Sequence, residues 1–415
     1  VITKVGLHTF VDPRIEGGKV NRLAQEDLVR LIEFDGKEWL FYKSFPIHVA
    51  FLRGTSADPN GNITMERESL VLDNLAMAQA VKNSQGVVIV QVERIAAAGS
   101  LHPRQVVIPG ILVDCVVVAA PEHHVQTYAT AYSPAFAAEI RVPIDGTPPL
   151  PLDIRKVIAR RAAYELSPNA VCNLGIGMPE GVAAVAREER LLDYLTLTTE
   201  PGVIGGVPAS GLDFGAAINT DAIIAQNQQF DFYDGGGLDL ACLGMAECDE
   251  HGNINVSRFG KRLAGAGGFI NISQNARRLV FVGTFTTDGL EVAVGGGKLG
   301  ILHEGRSRKF VKKVEQITFS GAYAAQQQQQ VYYVTERCVF QLTPAGLELI
   351  EIAPGIDLHD DILAHMGFAP IVRNPKLMHE RIFRPETMEL KSELLRLDLK
   401  QRISYDPQRN ILSSL

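Results

Sequence analysis

Short, β-prone apolar runs that stop at glycine-rich turns recur along this chain of 415 residues, and few folds accommodate that pattern. Residues 38–42, 48–53, 86–94 and 111–118 are such runs. Between them, residues 69–82 place Leu70, Leu72, Leu75, Ala76, Ala80 and Val81 at helical spacing. Asp58-Pro59-Asn60-Gly61-Asn62 has turn composition, because Asn and Gly tolerate left-handed backbone and Pro presets φ. Strand, helix and apolar strand in succession predict βαβ units on a parallel sheet. The chain is also long enough for more than one core.

Asp145-Gly146-Thr147-Pro148-Pro149-Leu150-Pro151 interrupts the pattern with three prolines, which block regular structure and mark a linker. The expected division is a domain at 1–144, a linker at 145–151 and a second domain at 152–415. Asp153 is the expected cap of a helix to about residue 165, with Ile154, Val157, Ile158 and Ala162 on one stripe. A strand at 170–174 then runs into Gly175-Ile176-Gly177-Met178-Pro179 and a helix at 180–194. A Gly-x-Gly turn between strand and helix lets a ligand approach the backbone and aims N–H groups at an anion, although tight packing explains it equally well.

Glu200 closes the run Leu195-Thr196-Leu197-Thr198-Thr199 and opens the turn Pro201-Gly202-Val203-Ile204-Gly205-Gly206-Val207-Pro208. A carboxylate at a strand end, ringed by small residues, has room for a substrate and backbone N–H groups nearby. That arrangement suits a nucleophile; the plainer reading is a strand-end Glu turned to solvent. Gly235-Gly236-Gly237 and Gly265-Ala266-Gly267-Gly268 also flank strand-like residues, as a crevice at the carboxyl edge of an open sheet requires.

Composition narrows the partners. A net charge of −7 argues against nucleic acid as the main partner, and no apolar stretch reaches the length of a membrane span. The five cysteines are scattered and read as reduced core residues of a cytosolic protein. Cys242, Cys248 and His251 fit no zinc spacing, so no metal is expected.

Taken in order, Asn173-Leu174-Gly175-Ile176-Gly177-Met178-Pro179, Thr199-Glu200-Pro201-Gly202-Val203-Ile204-Gly205-Gly206, the 235–240 stretch with Glu247-Cys248-Asp249-Glu250-His251-Gly252-Asn253, and Gly265-Ala266-Gly267-Gly268 resemble family I coenzyme A transferases. The likeness is greatest to the single-chain acyl-CoA:acetate/3-ketoacid and propionate enzymes. Phe10-Val11-Asp12-Pro13-Arg14, Gly17-Gly18-Lys19, Leu101-His102-Pro103, Ile108-Pro109-Gly110 and Phe230-Asp231-Phe232-Tyr233 support that subgroup.

The resemblance implies an α/β fold of two related open domains with the active site between them. It implies a ping-pong reaction of short-chain acyl-CoA and a free carboxylate through a glutamyl-CoA thioester. Glu200 would be the nucleophile, the Gly267-Gly268 turn an oxyanion donor, and Gly175, Gly177 and Gly265 part of the CoA seat. Arg258 and Lys261 are the phosphate candidates, whereas the basic run at 306–313 reads as a solvated face. Coenzyme A is expected as a substrate, with no permanently bound cofactor, in a cytoplasmic homodimer or homotetramer of short-chain fatty acid or ketone body metabolism.

Two departures accompany the likeness. Pro201 stands where the family more often has a hydrogen-bonding residue, and a first strand with a glycine-rich CoA loop is expected upstream of Val1. Two other readings stay open on the residues: an acyl-CoA hydrolase on the same fold, and a catalytically silent acyl-CoA-binding protein. Gln326 to Gln330 is a polyglutamine stretch expected to form a loop.

Overall fold

Alternation decides the first sheet. Along Val49–Arg53, Ala50 and Leu52 are buried while Val49 and Phe51 are exposed; along Val87–Val92, Val88, Val90 and Val92 are buried. The computed structural model, which describes residues 1–144, 148–395, 403–406 and 410–414, pairs these strands in parallel and adds Cys115–Val118 on the other side of Val87–Val92. Helix Asn74–Asn83 connects the first two, forming the expected βαβ unit. Ala78 and Val81 on that helix join Ala50, Leu52, Val88, Val90 and Val92 in one apolar cluster.

The helix begins later than expected, and of the expected stripe Val81 is buried, Ala76 and Ala80 are half-buried and Leu75 is exposed. Leu72 adopts φ +54°, which no helix interior tolerates, so the apolar residues before Asn74 do not belong to it. Asn74, Ala78 and Val81 are the buried positions, and Leu75 is 37% exposed. The expected stripe pooled residues of a turn with residues of a helix. The small Ala78 lets the helix lie close on the β-branched row of the sheet.

The chain divides into two units. Unit 1 comprises Val1, 42–147 and 197–235; unit 2 comprises 2–41, 148–196 and 236–415. One crossing falls within the proline-rich segment, of which residues 145–147 lie outside the described residues and 148–151 have no regular structure. The residues at 2–41 cluster with unit 2, and the segment carrying Glu200 clusters with unit 1.

In unit 2, Ala170–Leu174, Leu240–Gly244, Arg278–Val282 and Gln330–Val334 lie parallel in that order. Their residues are buried on both faces, as in a sheet covered on each side. An antiparallel pair, Cys338–Thr343 and Gly346–Ile352, follows, and Ile371–Leu377 runs parallel to the last. Asp153 caps helix Ile154–Ala163 by accepting from the Lys156 N–H at 2.9 Å, as expected. Burial then extends almost all round this helix. Arg160 donates to the carbonyls of Arg381, Ile382, Arg384 and Glu386, and Arg161 pairs with Glu351 at 2.7 Å.

Helix Glu180–Glu188 stops short of the expected residue 194 because Arg190 turns to φ +57°. The glutamine stretch is not a plain loop. Gln326 ends helix Gly321–Gln326, Gln330 opens a strand, and Gln329 donates to the Ser273 and Ala276 carbonyls at 2.7 Å each. No helix among the described residues is long and apolar enough to cross a membrane.

Candidate active site

The strand Leu195–Thr199 buries its last three residues and pairs antiparallel with Val203–Ile204, Thr199 opposite Val203. That register leaves Glu200, Pro201 and Gly202 as a three-residue hairpin loop, closed by the Gly202 N–H donating to the Thr199 carbonyl at 3.1 Å. Pro201 is accommodated because the loop asks no ladder bond of it. Gly202 is required twice over. Its φ is +118°, and a Cβ would overlap the Ile224 carbonyl oxygen, whose own residue donates its N–H to the Gly202 carbonyl at 2.8 Å.

Glu200 is partly buried rather than turned out to solvent, and among the described residues its carboxyl has no hydrogen-bond or ion-pair partner. Burial alone pushes it above its ordinary 4.5. A carboxylate that is desolvated and unpaired is a better nucleophile than one held by an arginine.

The strand end beneath it is held by a buried polar network that the sequence reading missed. Tyr233, on helix Gln226–Asp234, donates its hydroxyl to Thr198 Oγ1 at 2.7 Å and accepts from Gln229 Nε2 at 2.8 Å. Thr199 Oγ1 donates to the Gly215 carbonyl at 2.8 Å. Gln229 and Tyr233 are both fully buried. Their i, i+4 spacing was readable; that both face inward was not, because the helix carries polar residues on every side.

Unit 2 brings five of the expected residues onto one continuous stretch. Arg258–Phe259 and Arg262–Leu263 form a hairpin with Lys261 in its exposed tip, and the chain passes directly into the turn of Gly265, Gly267 and Gly268. The Ser257 carbonyl accepts from both Ala264 and Gly265 N–H groups, at 2.8 and 3.1 Å. The N–H groups of Ala266, Gly267 and Gly268 have no acceptor among the described residues. Arg258 lies near two carboxylates, 3.6 Å from Glu16 and 3.9 Å from Glu315, so its charge is already balanced. Lys261 makes no ion pair among the described residues.

The Gly175–Gly177 turn differs from the expectation of free amides. The Gly175 N–H continues the sheet, donating to the Cys242 carbonyl at 2.9 Å, and the Gly177 N–H donates to Glu180 Oε1 at 2.9 Å. What the turn offers a ligand is space: Gly177 has φ +84°, and nothing lies within 4 Å of where its Cβ would be. The turn stands at the carboxyl end of the first parallel strand of unit 2.

A parallel α/β sheet with glycine turns at its carboxyl edge is the frame on which open α/β enzymes take their ligands. A family profile described as coenzyme A transferase matches residues 1–119. The chain is 54% identical to the caffeate CoA-transferase of Acetobacterium woodii over 378 residues, 90% of this chain and 72% of the relative. It is 46% identical to the acetate CoA-transferase YdiF of Escherichia coli K12 over 385 residues, 92% and 72% of the two chains. The crystal structure of the apoenzyme of acyl-CoA transferase YdiF from E. coli O157:H7 superposes with a TM-score of 0.88 at 44% identity, covering 94% of this chain and 73% of that one. The chain belongs to the coenzyme A transferase family. It is an enzyme that moves CoA between an acyl-CoA and a carboxylate, with coenzyme A as a substrate.

Proposed function

We propose that the chain transfers CoA from a short-chain acyl-CoA to a free acid such as acetate, propionate, butyrate or acetoacetate, by a ping-pong route through Glu200. The Glu200 carboxylate attacks the thioester carbonyl, forming a mixed anhydride and releasing CoA thiolate. The thiolate attacks the glutamyl carbonyl, which leaves glutamyl-CoA and the first acid as its carboxylate. The second carboxylate attacks glutamyl-CoA, thiolate departs again, and its attack on the acyl carbonyl yields the new acyl-CoA and restores Glu200. Every step passes through an oxyanion and none requires a proton to be moved, so amide donors matter more than a general base. The unbonded N–H groups of Gly267 and Gly268 are the proposed donors.

The observation that carries this reading is the Glu200 carboxyl itself, drawn in from solvent at the apex of a hairpin and without a partner among the described residues. A solved YdiF structure described as a thioester complex with CoA supports the covalent route. The test is intact-mass measurement after incubation with acetyl-CoA and no acceptor, beside a Glu200→Ala control. A gain of one CoA less one water, reversed by added acid and missing from the control, is the expected result. A folded protein that binds CoA without any adduct would sink the covalent route. Caffeate belongs in the acid panel because the 54% identical relative carries that name; a one-methylene difference between acids is worth only ~1–3 kcal/mol in a pocket.

A further inference from the structure

The basic run at 306–313 does not behave as one solvated face. Arg306, Arg308, Lys312 and Lys313 are exposed, whereas Lys309 is drawn inward. Its backbone is fixed on both sides. The Lys309 carbonyl accepts from the Cys248 N–H at 2.8 Å, and the following Phe310 is fully buried between Phe285 and Phe340, with ring centroids 4.9 Å from each.

The ammonium reaches the carboxyl edge of the parallel sheet of unit 2. A Cβ placed on Gly283, the first residue past strand Arg278–Val282, would lie 3.3 Å from Lys309 Nζ. The same Cβ would lie 3.1 Å from Cγ of Met245, the first residue past strand Leu240–Gly244. This is where open parallel sheets take their ligands. Among the described residues Lys309 Nζ has no hydrogen-bond or ion-pair partner.

Among the described residues Glu336 is the charge that acts on it, and its oxygens are committed elsewhere. Oε1 accepts from Arg337 Nε at 2.7 Å and Oε2 from the Phe285 N–H at 2.9 Å. Arg337 in turn holds Glu304 at 2.7 Å. Burial therefore pulls the Lys309 ammonium below its ordinary 10.5 with little compensation. An inward-drawn ammonium with no partner among the described residues has the charge and the donors that an anionic oxygen group requires.

We propose that Lys309 binds the anionic oxygen group of a substrate, either the carboxylate of the acid or a phosphate of CoA. The proposal rests on the transferase reading above, because that chemistry supplies both anions. The test uses the full chain with Lys309→Met, Lys309→Arg and Gly283→Ala, the last pushing a methyl against Nζ. KM is measured separately for the acid and for the thioester, with acetyl-CoA and with acetyl-pantetheine, which lacks the phosphates.

Loss of one charge-assisted contact predicts a KM rise of roughly tenfold or more in Lys309→Met. If the anion is the carboxylate, the KM of the acid rises with either thioester. If it is a phosphate, only the KM of acetyl-CoA rises and acetyl-pantetheine is unaffected. Lys309→Arg should restore most of the affinity, and Gly283→Ala should move the same constant as Lys309→Met. Unchanged KM values, or an equal rise in all of them, would overturn the proposal. Should Lys309→Met not fold, Gly283→Ala decides by the same criteria. Failure of the transferase reading is separate, since it shows in the unmodified chain as the absence of any covalent adduct.

Discussion

Ionising Glu200 carries opposite consequences for rate and for stability. Its carboxyl is raised above 4.5 by burial alone, so between that value and its own higher one the unfolded chain is ionised while the native chain still holds the proton. The native state binds more protons there, and stability falls as pH rises through the native value. In the proposed route, however, the nucleophile is the carboxylate. An acid limb in kcat/KM is therefore expected above 4.5, and Glu200→Gln should abolish transfer while raising the thermal midpoint at neutral pH by roughly 1–3 °C. A midpoint that falls would mean that the carboxylate is held by a contact in solution. The place of Glu200 at a strand end, on a tight turn, was legible because a lone acid between an apolar run and a string of glycines leaves few alternatives. Lys309 was not, since a run of like charges does not reveal which member the backbone turns inward. The Gly175 and Gly177 amides failed for a related reason: Glu180, three residues on, reaches back to one of them, and the sheet takes the other.

The hairpin around Glu200 works as an element only with its support. Gly202→Ala forces a Cβ against the Ile224 carbonyl at a φ of +118°, and the expected outcome is a loss of about 2–4 kcal/mol in unfolding free energy, read from denaturant melts. Tyr233→Phe is a finer probe. It removes the hydroxyl shared by Thr198 and Gln229, leaves a buried amide without that acceptor, and should cost ~1–2 kcal/mol. Because the strand end beneath Glu200 loosens, kcat should drop about tenfold while the KM of acyl-CoA stays within about twofold. Equal changes in both constants would reduce the tyrosine to a general packing role. Most of the runs read as strands were legible to within a residue or two, since apolar β-branched runs bounded by glycine have few alternatives; the run at 111–118 is a strand only over Cys115–Val118, because Gly110–Leu112 forms a 3-10 turn. The start of helix Asn74–Asn83 was hidden because the left-handed turn at Leu72 has no signature in a leucine.

At the scale of the molecule, the sheet of unit 1 has one face covered by helix Asn74–Asn83 and one that is only partly covered, where Arg53 and Gln91 bond to the loop at 123–125. Phe51 is 81% exposed and sits level with Ile89 and Cys115 on neighbouring strands, with Val49 beside Val87 and Val117 further along the same side. Exposed apolar patches of this kind mark sites of association, so the expected homo-oligomer is tested here. Phe51→Ser should leave stability within about 0.5 kcal/mol and reduce association in sedimentation velocity; unaltered association would clear this face of a part in it. Pairing between distant strands is what the sequence could not show, because register depends on partners as far apart as Cys172 and Leu240.

The division into units has a consequence in time. Residues 2–41 find their neighbours in 148–196 and 236–415, after an intervening stretch that packs elsewhere. At ~5–20 residues per second, a ribosome finishes residue 236 roughly 10–40 s after residue 41. Through that interval Leu7 and Phe10, both buried in the finished protein, wait without Gln274 and Ile317, to which their backbones bond.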